Sequence, residues 1–326
     1  MLLDGTDAAA ITRAAAALAA GELVAFPTET VYGLGARADD DAAVAKIFTA
    51  KGRPADHPLI VHVADAADAA LFAAELPPVA QRLISAFWPG PLTIIVRRAE
   101  GMAKAAAAGQ GTVGLRCPAH PVASALLSAA RKLGVAGVAA PSANRFGRIS
   151  PTRAAHVVDE FGETLLVLDG GACRVGIESS IVDCSRGRPV LLRPGVLTRA
   201  QLEAAAAEAL HEPDLDAPRA PGTLQAHYAP RAKLRLMAAE PLRTALKLLG
   251  PAAPELAVYS RSLPANIAQG VLHRRMPSRP EAAAHELFSV LRELDDQGVQ
   301  IIWVEEPPPT PEWDGVRDRL QRAAAA

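Results

Sequence analysis

Cysteine is scarce in this 326-residue chain: Cys117, Cys173 and Cys184 are the whole complement. Three thiols leave one unpaired in any disulfide scheme, and none stands in a Cys-x-x-Cys pair, so a disulfide scaffold and a structural zinc site are both disfavoured. Long apolar runs are missing too. Hydrophobic residues make up 50% of the chain, yet no stretch approaches the ~20 consecutive apolar residues of a membrane-spanning helix. The first seven residues, Met-Leu-Leu-Asp-Gly-Thr-Asp, carry two acids and no basic flank, unlike a signal peptide. A soluble cytoplasmic protein with a reduced interior is the expectation. A charge excess is lacking as well. With 34 basic and 35 acidic side chains the net charge is −1, which argues against a protein that coats DNA or RNA. It leaves room for a local cationic pocket. Also absent are a Gly-x-x-x-x-Gly-Lys-Ser/Thr phosphate loop, a Gly-x-Ser-x-Gly elbow and a His-Glu-x-x-His helix.

What is present alternates between helix and strand periods, at a length suited to about two domains. Thr6 or Asp7 can cap an Ala-rich helix that Gly21 stops, and 22–26 reads as a strand. Asp39–Asp41 open a helix carrying Val44, Ile47 and Phe48 on one face. Strands are expected at 58–63, 92–96, 112–116, 137–140, 165–168, 180–183 and 190–193. Helices are expected at 66–74, 78–87, 120–133 and 198–210. The fold class is α/β, an open mixed sheet with helices. Residues 1–210 form the larger domain. Residues 211–232 hold Pro213, Pro218, Pro221 and Pro230 with no hydrophobic period, and read as a linker that is either disordered or functional, for instance as a lid. From 233 to 326 a smaller α/β domain follows, with strands at 234–237, 256–259 and 299–304, helices near 241–249 and 281–296, and a frayed 323–326.

The chemistry-bearing segments sit at strand ends, where α/β proteins place ligand contacts. Pro27-Thr28-Glu29-Thr30-Val31-Tyr32-Gly33-Leu34-Gly35 sets two hydroxyls, a carboxylate and a phenol within a few positions; its bland alternative is a polar turn with glycine at positive φ. Gly33-Leu34-Gly35-Ala36-Arg37-Ala38 matches the dinucleotide pattern only loosely, because a polar run separates it from the strand before it. Lys51-Gly52-Arg53-Pro54 puts two cations across a glycine at a helix end, a point charge and a planar fork suited to phosphate, or else simple compensation of the helix dipole. Pro141-Ser142-Ala143-Asn144, then Ser150-Pro151-Thr152, offer hydroxyls and an amide, or an Asx turn and a helix cap. Arg116 ends a strand and can grip a carboxylate bidentately. Glu178-Ser179-Ser180 and Arg193-Pro194-Gly195 add further hydroxyls and a cation.

In this order and spacing, these segments resemble the YrdC-like domain of threonylcarbamoyl-AMP synthases, and the chain as a whole resembles the longer, two-domain Sua type. The likeness extends into Pro221-Gly222 and His227-Tyr228-Ala229-Pro230. It implies an ATP pocket of Lys51, Arg53, His57, Thr112, Asn144, Thr152, Arg193 and Tyr228, with Lys51 and Arg53 catalytic through their charge. It implies a threonine pocket of Thr30, His62, Arg116, Ser142 and Ser179. The implied substrates are ATP, L-threonine and bicarbonate, with Mg²⁺ arriving on ATP and no protein metal site. The implied consumer of the product is the tRNA threonylcarbamoyl transferase machinery. Three positions depart from the pattern: His57 stands where asparagine is usual, Phe146 where a serine commonly precedes Gly147, and the linker lacks the usual Met-Lys-Tyr after its glycine. The alternatives are an RNA-binding protein, against which the lack of an aromatic-basic stripe counts, and a carbamoyltransferase, whose Cys-x-x-Cys modules are missing here.

Overall fold

The computed structural model describes residues 1–249, 255–264, 267 and 270–326. It divides into two compact units, residues 1–146 with 150–223, and residues 147–149 with 224–326. In the first, the strands are β1 (Leu2–Asp4), β2 (Val24–Pro27), β3 (Tyr32–Arg37), β4 (Ile60–His62), β5 (Leu92–Arg97), β6 (Thr112–Arg116), β7 (Val138–Ala139), β8 (Leu166–Asp169), β9 (Ser180–Asp183) and β10 (Val190–Arg193). They form one mixed sheet in the order β1-β8-β2-β3-β7-β4-β6-β5-β9-β10. Pairs such as β4 with β6 and β5 with β9 are parallel, whereas β2 with β3 and β5 with β6 are antiparallel.

Helices cover both faces. They are α1 (Ala8–Ala19), α2 (Asp41–Lys51), α3 (Ala69–Phe72), α4 (Pro78–Phe87), α5 (Pro121–Lys132), α6 (Ala154–Phe161) and α7 (Arg199–Ala206). Successive strand residues point to opposite sides. Val24 and Phe26 therefore join Leu18, Leu126 and Leu168 in one hydrophobic cluster. Ala25 joins Leu34, Ile47, Leu83 and Leu115 in another. A sheet buried on both faces accounts for the near-continuous apolar character of strands such as Leu92–Val96.

Local chemistry sets most boundaries. Asp7 caps α1 by accepting from Ala9 N at 3.0 Å, and Gly21 (φ +78°) turns the chain beyond it. Asp40 caps α2 by accepting from the backbone N–H groups of Ala42 and Ala43. The helix expected at 198–210 is shorter, because Ala207 adopts φ +56° and ends α7 at Ala206. Ser150 and Thr152 do not cap α6: Arg153 holds the cap position without a side-chain bond, and Ser150 donates to Glu178 instead. The segment Tyr32–Arg37 is a strand, so Gly33 and Gly35 serve neither a dinucleotide loop nor a turn at positive φ. A Cβ on Gly35 would lie 2.8 Å from Phe26 Cε1 and from Val138 Cγ1. The glycine is there because neighbouring side chains close over its face.

Residues 211–223 are held within the first unit. His211 N donates to Pro189 O at 2.9 Å, and Ala220 packs with Ile60, Ile95, Ile181, Val190 and Leu192. Arg219 is clasped at both its backbone groups by the Gln110 side-chain amide, at 2.9 and 3.2 Å.

The second unit contains a four-stranded parallel sheet in the order β11-β14-β12-β13, from β11 (Lys233–Met237), β12 (Leu256–Ser260), β13 (Leu272–Arg275) and β14 (Ile301–Glu305). Its helices are α8 (Ala239–Leu248), α9 (Pro280–Asp296) and α10 (Asp314–Ala324). Of the end expected to be frayed, Ala323 and Ala324 instead close α10, with Ala323 buried, while Ala325 and Ala326 are exposed beyond it.

Candidate active site

Helix α2 ends at Lys51 because Gly52 takes φ +63° and its N–H returns to Phe48 O and Thr49 O. That left-handed residue turns the chain between the two cations. Lys51 is buried and donates from Nζ to the carbonyl oxygens of Ser142, at 2.6 Å, and Asn144. Arg53 donates from Nη2 to Pro58 O at 3.0 Å, and its guanidinium lies 5.7 Å from the centre of the Phe146 ring. Burial, and next the nearby Arg53 charge, push the Lys51 ammonium well below its ordinary pKa. Two cations held together in a dry setting favour the arrival of an anion.

The Pro27–Val31 segment folds as the polar turn its sequence allows. Thr28 Oγ1 donates to Val31 O at 2.7 Å and lies 2.8 Å from Thr30 Oγ1. The backbone then laces neighbouring segments to it: Val175 N donates to Glu29 O, Gly176 N to Thr30 O, Tyr32 N to Pro151 O and Ala143 N to Tyr32 O. Phe146 N reaches Lys51 O. Thr30, Ser142, Asn144, Thr152 and Lys51 thus belong to one hydrogen-bonded set of loops.

Arg116 and His62 are register partners at the ends of β6 and β4. The Arg116 guanidinium donates to Glu29 Oε1 at 2.7 Å from Nη2 and to Gly90 O at 3.3 Å from Nε. Glu29 Oε2 accepts from Ala119 N at 3.0 Å. This ion pair is almost wholly withdrawn from solvent, with side-chain exposures of 4% and 2%. Burial, assisted by the Arg116 charge, lowers the His62 pKa to about 3, so the ring is neutral. Its Nδ1 is buried and has no hydrogen-bond partner among the described residues.

Ser179 and Arg193 also meet. Arg193 donates from Nε to Ser179 O at 3.0 Å, from Nη2 to Ser179 Oγ at 3.2 Å and from Nη1 to Pro221 O at 2.8 Å. Thr93 Oγ1 lies 2.8 Å from Ser179 Oγ. Thr112 pairs with Arg97 at the opposite end of β6 from Arg116. Tyr228 lies in the second unit at φ +63°, stacked on Phe288 with 5.4 Å between ring centres. A cavity of about 550 Å³ opens between Arg13, Lys46 and Phe161, and no predicted site residue lines it. Burial raises the Cys117 thiol to about 11 and Cys173 to about 12, so neither is an activated nucleophile.

Glu29 and Thr93 had not been singled out from sequence. Glu29 is the carboxylate of the Pro27–Gly35 segment, but nothing linear ties it to an arginine 87 positions on. Thr93 sits in an apolar strand with no local signal.

Comparison with known proteins places the chain in a family. A family profile described as "Telomere recombination" matches residues 16–195, and one described as "Threonylcarbamoyl-AMP synthase, C-terminal domain" matches residues 197–325. Threonylcarbamoyl-AMP synthase of Pyrococcus abyssi is 38% identical over 93% of this chain and 91% of its own length. The Bacillus subtilis protein of the same name is 38% identical over 96% and 92%. This chain belongs to the threonylcarbamoyl-AMP synthase family. The solved structure of Pyrococcus abyssi Sua5 complexed with L-threonine superposes with a TM-score of 0.86 at 35% identity, covering 96% of this chain and 94% of that one. Escherichia coli YciO, at 22% identity and a TM-score of 0.50, shares the fold of the first unit's sheet.

Within the family framework, two of the departures from pattern prove to be neighbours. The His57 ring meets Phe146 edge-on at 5.3 Å between centres. Arg53 lies over the other partner of that pair.

Proposed function

We propose that this chain converts L-threonine, bicarbonate and ATP to threonylcarbamoyl-AMP and pyrophosphate, in the cytoplasm, for the t6A modification of tRNA. The threonine amine adds to bicarbonate carbon and water leaves, giving a carbamate. A carbamate oxygen then attacks the α-phosphorus, and the bond to pyrophosphate breaks. The electrostatic obstacle is the gathering of a carbamate and a triphosphate. The observation that carries this reading is the buried Lys51 ammonium, turned by Gly52 beside Arg53 and held by the Ser142 and Asn144 carbonyls.

An incoming phosphate restores the charged form that burial disfavours at Lys51, and the two cations stabilise charge on the departing pyrophosphate. Arg193, His57, Thr112, Asn144 and Thr152 complete the ATP pocket. Arg116 takes the α-carboxylate of threonine, with Thr30, His62, Ser142 and Ser179 around it. Magnesium is carried in on the phosphate oxygens. Among the described residues no three His, Cys, Asp or Glu side chains are grouped to hold an ion. Neutral His62 is a poor base, so catalysis rests on positioning and charge. The adenylate passes to a transferase that acts on tRNA.

Pyrophosphate release from ATP, measured with and without threonine and bicarbonate, tests the reading. Release that requires both is the expected result. RNA binding with no threonine-dependent release would replace it with the RNA-binding alternative.

A further inference from the structure

The Glu29–Arg116 pair bears on which molecules the threonine pocket admits, a question that rests on the proposed threonine-activating function. A buried arginine that grips a carboxylate needs no partner of its own; an unpaired guanidinium would attract any small carboxylic acid. Here the arginine is already neutralised by Glu29 at 2.7 Å, and Glu29 is itself fixed by Ala119 N. The titratable groups coupled to this pair, His62, Cys117, His120 and Cys173, add no buried charge, and burial raises the Cys117 thiol to about 11. His62 is neutral because burial and Arg116 hold its pKa near 3. Burial likewise lowers His120, whose ring accepts from Val122 N at the start of α5, and Cys173 stays a thiol. Arg174, which acts on His120, is exposed.

We propose that Glu29 is a specificity-determining residue which, by cancelling the Arg116 charge, makes this pocket a receptor for zwitterionic α-amino acids and closes it to anions of the same shape. The pair sums to zero. A zwitterion also sums to zero, so the filled pocket holds no net charge. Replacing the ammonium by a hydroxyl turns the ligand into an anion and leaves one uncompensated negative charge in a buried site, which is costly. Replacing the carboxylate by an alcohol leaves one uncompensated positive charge. Removal of the Glu29 charge reverses the first preference, because Arg116 alone then matches the anion.

The test is calorimetric titration of the full chain with L-threonine, with 2,3-dihydroxybutanoate (hydroxyl for ammonium) and with L-threoninol (alcohol for carboxylate). Wild type is expected to bind threonine at least ~10-fold more tightly than either analogue, the scale of an uncompensated like charge. In Glu29→Gln the ratio of threonine to 2,3-dihydroxybutanoate affinity should fall at least ~10-fold or invert, while Glu29→Asp, which keeps the charge, should retain the wild-type preference. A merely structural Glu29 would weaken all three ligands together and leave the ratio unchanged; that result overturns the proposal. Should Glu29→Gln not fold, wild type binding 2,3-dihydroxybutanoate as tightly as threonine overturns it equally. Wild type that binds no threonine at all removes the proposed function itself.

Discussion

The imidazole of His57 packs edge-on against Phe146, with 5.3 Å between ring centres and 64° between planes. Both residues depart from the pattern of the resemblance, and here they touch. A double-mutant cycle with His57→Asn and Phe146→Ser should return a coupling of about 0.5–1.5 kcal/mol, the usual worth of such an aromatic pair. Urea denaturation of the four proteins measures it. Strict additivity would show that the two rings are independent.

Lys51→Ala and Arg53→Ala should each lower threonine-dependent pyrophosphate release by at least ~100-fold, as expected for lost transition-state charge stabilisation. Near-wild-type rates in both variants would remove the charge argument for this site.

His62 predicts an acid-side loss of stability. Its folded pKa of about 3 lies below the ordinary 6.5. Above pH 6.5 the ring is neutral folded or unfolded and contributes nothing. As pH falls below 6.5 only the unfolded chain takes up the proton, so stability declines by about 1.4 kcal/mol per pH unit until the folded pKa is reached. From pH 6.5 to 5 that amounts to roughly 2 kcal/mol. Chemical denaturation of wild type and His62→Gln at both pH values should show the slope flattened in the variant; equal slopes would mean that the ring protonates in the native state.

Gly35→Ala places a methyl 2.8 Å from both Phe26 and Val138 side-chain atoms. Overpacking of this kind costs about 1–3 kcal/mol. Thermal melts should show the loss, whereas unchanged stability would mean that the sheet shifts to accept the methyl. By contrast, nothing lies within 4 Å of a Cβ built on Gly52. Any cost at that position comes from its positive φ alone.

Much of the architecture was legible because it is written locally. Asp7 and Asp40 cap helices within three residues of themselves, and Gly21 and Gly52 end or turn them by conformation. Other elements went unread. Strand β3 was hidden by two glycines that only Phe26 and Val138 explain. Helix α6 has no side-chain cap. Helix α10 is rich in charge, and Arg319, one of its basic residues, is 1% exposed. Strand β13, Leu-His-Arg-Arg, lies at the sheet edge and lacks an apolar alternation.

The sequence alone determined the mixed α/β class, the caps of α1 and α2, the family and the inventory of cations and hydroxyls, because each is carried by residue type and short spacing. Tertiary structure decided which of those groups face one another. The pairing of Arg116 with Glu29, the meeting of Ser179 with Arg193 and the seating of Lys51 on the Ser142 and Asn144 carbonyls all join residues far apart in the chain. Such contacts follow from strand order and register, and those arise from burying both faces of a ten-stranded sheet at once.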